Sequence, residues 1–413
     1  MEKIILALFL VLKTLTFTFE RFLSWLNRKH RHKLHMQQEA CAYLGIHPDE
    51  LKISMNYAED KYRFGLVNET FDFLVVMLVV ASGLLGTIEN RCSIWTSNPM
   101  LGGLVFFAVL GGLGALINLP FQYYYTFTLE EKHGFNRQTP RDFWLDQIKM
   151  VGVSVALGGP FLFALLWVMQ HMGNTWWLWA WAIVVFFSIF SIWIYPTWLA
   201  PMFNKFSPLP EGELKEQILG LSNRVGFKTR GLSVMDASKR SSHGNAYFTG
   251  IFGEKKIVLF DTLLQMLTTP QIVAVLAHEL GHFKLHHIRN ALLRSIFFTG
   301  FIFFILKILL PIDMFYRAFG FSSSSPHVAL VIFSLWFGPV EIFIKPIASF
   351  LSRQNEFAAD AFAKASVGDG KDLSEALLTM REKSHIVPIT HPLFSLFYFS
   401  HPPIIERLKK LKE

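Results

Sequence analysis

Seven stretches of this 413-residue chain are apolar enough and long enough to cross a bilayer: Ile4–Phe22, Phe71–Ile88, Leu101–Leu119, Ile148–Met169, Trp176–Ile194, Ala291–Leu310 and Val328–Phe350. Lipid offers no partner to a backbone N–H or C=O, so only helices and closed barrels can span it. Runs of this length without alternation select helices. The charged fraction is 17%, against about a quarter in soluble domains, and Phe occurs 42 times. The apolar run of Ile4–Phe22 is interrupted by Lys13 and Glu20. No small-residue cleavage site follows it, so it reads as an uncleaved span. Val328–Phe350 carries Glu341 and Lys345, costly in lipid and spaced i, i+4, which are expected to pair inside the bundle.

The connecting segments sort by charge. Those after the first, third, fifth and seventh stretches hold 30 Lys and Arg, against 3 on the other side. Leaving out the long segment after the fifth stretch, which counts for little, the ratio is still 19 to 3. This places the N-terminus outside or in the lumen and the basic side in the cytoplasm. The net charge of +8 therefore belongs to cytoplasmic loops, and the partner it implies is the lipid bilayer. No Gly-rich phosphate loop, zinc-finger cysteine pattern or basic-aromatic repeat argues for nucleic acid. Cys41 and Cys92 support no disulfide framework.

The chemistry lies on the basic side, in Thr269-Pro270-Gln271-Ile272-Val273-Ala274-Val275-Leu276-Ala277-His278-Glu279-Leu280-Gly281-His282. Thr269 suits an N-cap and Pro270 the first helical position. His278 and His282 then leave one helix face a turn apart, where two neutral nitrogens can reach one Zn²⁺. Glu279 lies beside the metal, where a carboxylate can take a proton from zinc-bound water. An amphipathic helix carrying two His by chance is the bland alternative. His286 and His287 read as a continuation of this helix beyond the site. A catalytic zinc keeps three protein ligands, and the best third candidate is Glu356, in Ser352–Ala363. Asp360 shares its helix face. Two such carboxylates repel unless something positive intervenes; a metal on Glu356, with Asp360 accepting the second ring N–H of a ligand His, resolves that.

The chain divides into 1–194, membrane helices one to five; 195–290, a metallopeptidase domain with the zinc helix; 291–350, helices six and seven; and 351–413, the C-terminal part of the metallopeptidase domain. The class is mainly α, with a small β-hairpin. Glu211–Val225 reads as helix and Gly231–Met235 as strand. Asn245–Phe252 and Lys256–Phe260 read as a hairpin turned by Gly253-Glu254. A free strand edge beside a zinc helix can pair with an extended peptide; a small structural ribbon is the equal alternative. Ser241, Ser242 and His243 read as turn residues. In the tail, His401 lies in a loop, where it can donate to an oxyanion or simply make a turn. Ile404–Lys412 is a short basic amphipathic helix.

Together these stretches resemble the type I CAAX prenyl proteases, integral-membrane zinc endopeptidases. The match is carried by Leu119-Pro120, Glu130–Asn136, Pro196-Thr197, Asn204–Phe206, Ser241–His243, Asn245–Phe248, Ile257–Leu264, His278–His282, Glu356–Asp360 and Ser400–Pro403. The resemblance implies seven helices forming a barrel around a water-filled chamber, closed at one end by the zinc domain. It implies one Zn²⁺ per chain on His278, His282 and Glu356, and Glu279 as base. Asp360 corresponds to a residue described as proton donor or as partner of a ligand His; the physical argument favours the partner. His401 corresponds to a His that contacts substrate or oxyanion, and Asn245, Ala246, Tyr247 and Phe248 to the substrate-binding edge. Substrates would be peptides or proteins, prenylated or hydrophobic, cut near the C-terminus. The membrane would be a bacterial inner membrane or the endoplasmic reticulum. General proteolysis of membrane proteins keeps the same residues; a transporter with a structural metal site would have no use for Glu279. The charge asymmetry predicts that a reporter fused after Glu413 reads as cytoplasmic; an external signal there would reverse the topology.

Overall fold

The computed structural model describes residues 1–249, 255–322 and 324–413. In the N-terminal half, α1 (Glu2–Arg31), α2 (Leu34–Leu44), α3 (Pro48–Ala81), α4 (Leu84–Ile94), α5 (Pro99–Glu130), α6 (Pro140–His171) and α7 (Gly173–Phe203) follow one another. Their starts are set by local chemistry. Asn98 accepts from the N–H groups of Met100 and Leu101 ahead of Pro99, and Thr139 accepts from Asp142 N ahead of Pro140. Then come β1 (Phe206–Pro208), α8 (Glu213–Arg224), β2 (Thr229–Met235), β3 (Ala246–Thr249), β4 (Lys255–Phe260) and α9 (Thr269–Lys284). The chain ends with α10 (His287–Leu309), α11 (Pro326–Val367), α12 (Lys371–Lys383) and α13 (Ile404–Lys412).

Six helices among the described residues are long and apolar enough to cross a membrane: α3, α5, α6, α7, α10 and α11. α1, expected as a further span, packs against α3 and α11, but Lys13, Glu20 and Arg21 interrupt its apolar run. The second span is also displaced from Phe71–Ile88. Its helix starts at Pro48 and stops at Ala81, and the chain turns at Gly83, whose φ of 69° is left-handed, into α4. Hydropathy does not register that turn, because both flanks are apolar. Lys345 does not pair with Glu341. Its Nζ donates to Glu20 Oε1 on α1 at 3.2 Å, a partner on another helix that local spacing could not reveal.

The strands form one sheet in the order β1-β2-β4-β3. β2 and β4 are parallel, while β3 runs antiparallel to β4 in the register Ala246↔Leu259 to Thr249↔Lys256. The expected turn Gly253-Glu254 lies outside the described residues. β1 had no sequence signal; it is three residues held by antiparallel pairing to β2. Ile218 and Leu221 of α8, Ile257 and Leu259 of β4, Ala274, Leu276 and Ala277 of α9 and Ala363 of α11 bury together in one core. That core fixes α9 between sheet and α11.

α9 begins at Thr269, one residue earlier than expected, so its N-cap is Thr268 and not Thr269. Thr268 caps it, because Gln271, three positions on, returns its Oε1 to Thr268 N at 3.1 Å, completing a capping box. α11 has 42 residues, about 63 Å at 1.5 Å per residue, while a bilayer core is about 30 Å. It therefore crosses and still projects several turns, and Glu356 and Asp360 sit on the projecting part. The helix runs unbroken through residues 350 and 351. α9 meets α11 at Gly281, where an added Cβ would lie 3.1 Å from Ala359 Cα and 3.2 Å from Ala359 O. The contact is with backbone, which does not yield cheaply. Gly281→Val is therefore expected to cost about 1–3 kcal/mol through overpacking, read as a lower thermal midpoint in detergent together with weaker metal retention. A midpoint matching the parent protein would refute the close crossing.

Candidate active site

His278 and His282 project from α9 toward Glu356 on α11. His278 Nε2 lies 3.2 Å from His282 Nε2, His282 Nε2 is 3.2 Å from Glu356 Oε1, and His278 Nε2 is 3.5 Å from Glu356 Oε2. One ligand atom from each falls within 4.8 Å of the others, a group that could hold a metal ion. His278 and Glu356 are buried. Glu356 Oε2 is sealed from solvent and has no hydrogen-bond partner among the described residues. A buried carboxylate oxygen left this way is costly, and a cation between the three groups removes the cost. Two imidazoles and one carboxylate form the donor set of a catalytic zinc site that keeps a fourth position open. The residues therefore fit a metal ion.

The far nitrogens of the two imidazoles also have partners. His278 Nδ1 is 2.8 Å from Asp360 Oδ1, on the side away from Glu356. A carboxylate there fixes the proton on Nδ1 and leaves the Nε2 lone pair free. His282 Nδ1 is 3.0 Å from His287 Nδ1. This corrects the reading of His286 and His287 as a continuation of the zinc helix. α9 ends at Lys284, His286 adopts a left-handed backbone with φ 60°, and His287 opens α10 turned back toward His282.

Glu279 is half-buried beside the pair. Burial pushes its carboxyl above the ordinary carboxylate range, and positive charge on His278 and His282 opposes that shift. His401 reaches the cluster from the C-terminal loop, with Nε2 3.5 Å from Glu356 Oε1; at 66% side-chain exposure it faces open space. Asn245 to Phe248 form the entry and body of β3. Among the described residues only one side of β3 is paired within the sheet, and Ala246 and Phe248 pack into the core that holds α9.

One residue at the centre was missed. Arg407 on α13 is buried, with Nε 2.9 Å from Asp360 Oδ2 and Nη2 2.6 Å from Asp360 Oδ1, and its Nη1 stands 3.8 Å from Glu356 Oε2. The guanidinium neutralises the carboxylate that holds His278. A signal was present: Ile404, Arg407, Leu408 and Leu411 make one stripe at i, i+3, i+4, i+7, so an Arg sits on the apolar face of an amphipathic helix.

A buried two-His, one-Glu cluster with a carboxylate beside it, built partly on a membrane-length helix, defines a membrane metalloprotease. Comparison with known proteins agrees. The family model for the CAAX prenyl protease N-terminal region, with five membrane helices, matches residues 29–205, and that for peptidase family M48 matches residues 208–413. A CAAX prenyl protease 1 homolog of Arabidopsis thaliana is 37% identical over 89% of this chain and 88% of its own length. CAAX prenyl protease 1 of Saccharomyces cerevisiae is 36% identical over 87% of this chain and 84% of its own. The crystal structure of S. mikatae Ste24p superposes with a TM-score of 0.93 at 30% identity, covering 100% of this chain and 99% of that one. The chain belongs to the type I CAAX prenyl protease family of M48 peptidases.

Removing one partner of a buried ion pair strands the other charge, at a cost of about 3–5 kcal/mol. Arg407→Leu is accordingly expected to lower the thermal midpoint of metal-stripped protein sharply, while Arg407→Leu combined with Asp360→Leu recovers part of the loss. A single variant as stable as the parent would show that Asp360 does not depend on Arg407.

Proposed function

We propose that the protein is a zinc endopeptidase that hydrolyses peptide bonds near the C-terminus of prenylated or hydrophobic peptides. The relatives' names point to CAAX substrates. The observation that carries the reading is the placement of Glu279 between two histidines whose far nitrogens are both held, beside a buried carboxylate oxygen without a partner. His278, His282 and Glu356 would hold the Zn²⁺. When bound, the ion would lower the pKa of a water and polarise the scissile carbonyl.

The chain's own residues perform the remaining steps. Glu279 takes the proton from the attacking water and passes it to the leaving amine, and a carboxyl raised by burial suits both tasks. His401 donates to the developing oxyanion. Asp360, charged by Arg407, orients His278 and does not itself meet the substrate. The edge formed by Asn245, Ala246, Tyr247 and Phe248 holds an extended peptide through backbone groups that read no side chain. Selectivity then comes from apolar walls and from what can reach the site. We place α1 with the six apolar helices as a seventh span, in a barrel around a chamber in the membrane. The N-terminus lies outside or in the lumen and the active site faces the cytoplasm; the membrane is that of the endoplasmic reticulum or a bacterial inner membrane.

The test pairs a farnesylated CAAX peptide with an unprenylated one of the same sequence. The parent protein should cut the farnesylated peptide with the higher kcat/KM. Glu279→Ala should retain one zinc per chain and cut neither peptide. Zinc lost together with activity would make Glu279 part of the metal set, and no preference for the farnesylated peptide would favour general proteolysis.

A further inference from the structure

A cavity adjoins the strand edge. It has a volume of about 890 Å³, within the range of about 300–1,000 Å³ usual for ligand pockets. Asn245, which leads into β3, and Phe399, two residues before His401, both line it. Its charged lining is unbalanced. Arg21, Arg31 and Lys61 face two carboxylates, Glu69 and Glu130, and both carboxylates are already engaged. Glu69 is ion-paired with Arg21. Glu130 accepts from Tyr57 Oη at 2.6 Å and lies 3.4 Å from His243 Nε2. Arg31 and Lys61 have no carboxylate partner among the described residues; the Lys61 ammonium rests only over the Tyr57 ring, 5.0 Å from its centre. Two cations on the wall of a peptide-sized cavity, with the local anions spent elsewhere, leave a vacancy for negative charge.

The strand geometry supplies that charge. A peptide added antiparallel to β3, the sense in which β4 already pairs, runs its C-terminal end toward the start of β3. That start is Asn245, on the cavity wall. The wall is fixed before any peptide arrives, since Thr262 Oγ1 donates to His243 O at 2.9 Å and Ser242 N to Phe135 O at 3.2 Å. We propose that this cavity is a specificity subsite for the free C-terminal carboxylate of the substrate, bound by Arg31 and Lys61. The proposal rests on the endopeptidase reading, in that the peptide on β3 is the one to be cut. It makes the protein a reader of chain ends, which backbone pairing alone cannot be.

The test separates binding from cleavage. Glu279→Gln protein in phosphatidylcholine nanodiscs, which carry no net lipid charge, is titrated with two fluorescent peptides of one sequence, one ending in a free acid and the other in an amide. The acid should bind at least tenfold more tightly. Arg31→Gln and, separately, Lys61→Gln at an exposed position should bring the acid down toward the affinity of the amide. Equal binding of acid and amide, or an equal loss for both peptides in both variants, would overturn the proposal. Cleavage of the same pair by protein with Glu279 intact reports on the other reading. An acid preference in binding with neither peptide cut would leave the subsite standing and remove the endopeptidase assignment. Cutting without an acid preference would do the reverse.

Discussion

The site depends on how closely two helices cross. At Gly281 α9 has no side chain, and the backbone of the long helix at Ala359 fills the space. Each helix carries a pair of groups four residues apart, His278 with His282 and Glu356 with Asp360. One turn of helix separates the members of each pair. Brought face to face at short range, the pairs place three donors around one point and leave Asp360 behind His278. A wider crossing would preserve every residue and lose the cluster, because a metal–ligand bond tolerates only a few tenths of an ångström.

Charge holds the crossing in order. Glu356 and Asp360 would repel across one helical turn in a region closed to water. The structure sets Arg407 against both, bidentate on Asp360, and imidazoles against each. A buried ion pair stabilises little by itself, since desolvation offsets most of the attraction. Its effect here is positional: removing any member leaves another charge buried alone. The last helix of the chain thereby becomes part of the centre, though it contributes no atom to the group of His278, His282 and Glu356.

What could be read from the sequence follows the range of each interaction. His278, Glu279 and His282 belong to one helix, as do Glu356 and Asp360, so a local spacing gave each set and chemistry joined them. Arg407 lies 47 residues beyond Asp360, and only its place on an apolar stripe marked it. The pairing of Lys345 with Glu20 and the reversal that brings His287 onto His282 rest on tertiary packing and on a left-handed His286, which no periodicity encodes. Hydropathy located the membrane helices but not the turn at Gly83 within the second apolar stretch, because that turn is flanked by apolar residues on both sides.

The strand beside the site takes its position from the membrane helices. Tyr57 on α3 donates to the buried Glu130 at the end of α5, and Glu130 meets His243. Asn136 bridges Ser241, and Arg240 is held bidentate by Asp146 of α6 at 2.8 and 3.1 Å. Three membrane helices thus fix the loop that enters β3, while the core around α9 fixes its body. The end of α5 that carries Glu130 is wound as a π-helix over Tyr125–Glu130, an irregularity frequent where a side chain must be re-aimed for function. The position of β3 relative to the histidines is then a property of the membrane part as much as of the peptidase part. Cutting the chain between them would leave His278, His282 and Glu356 together and release the loop that enters β3.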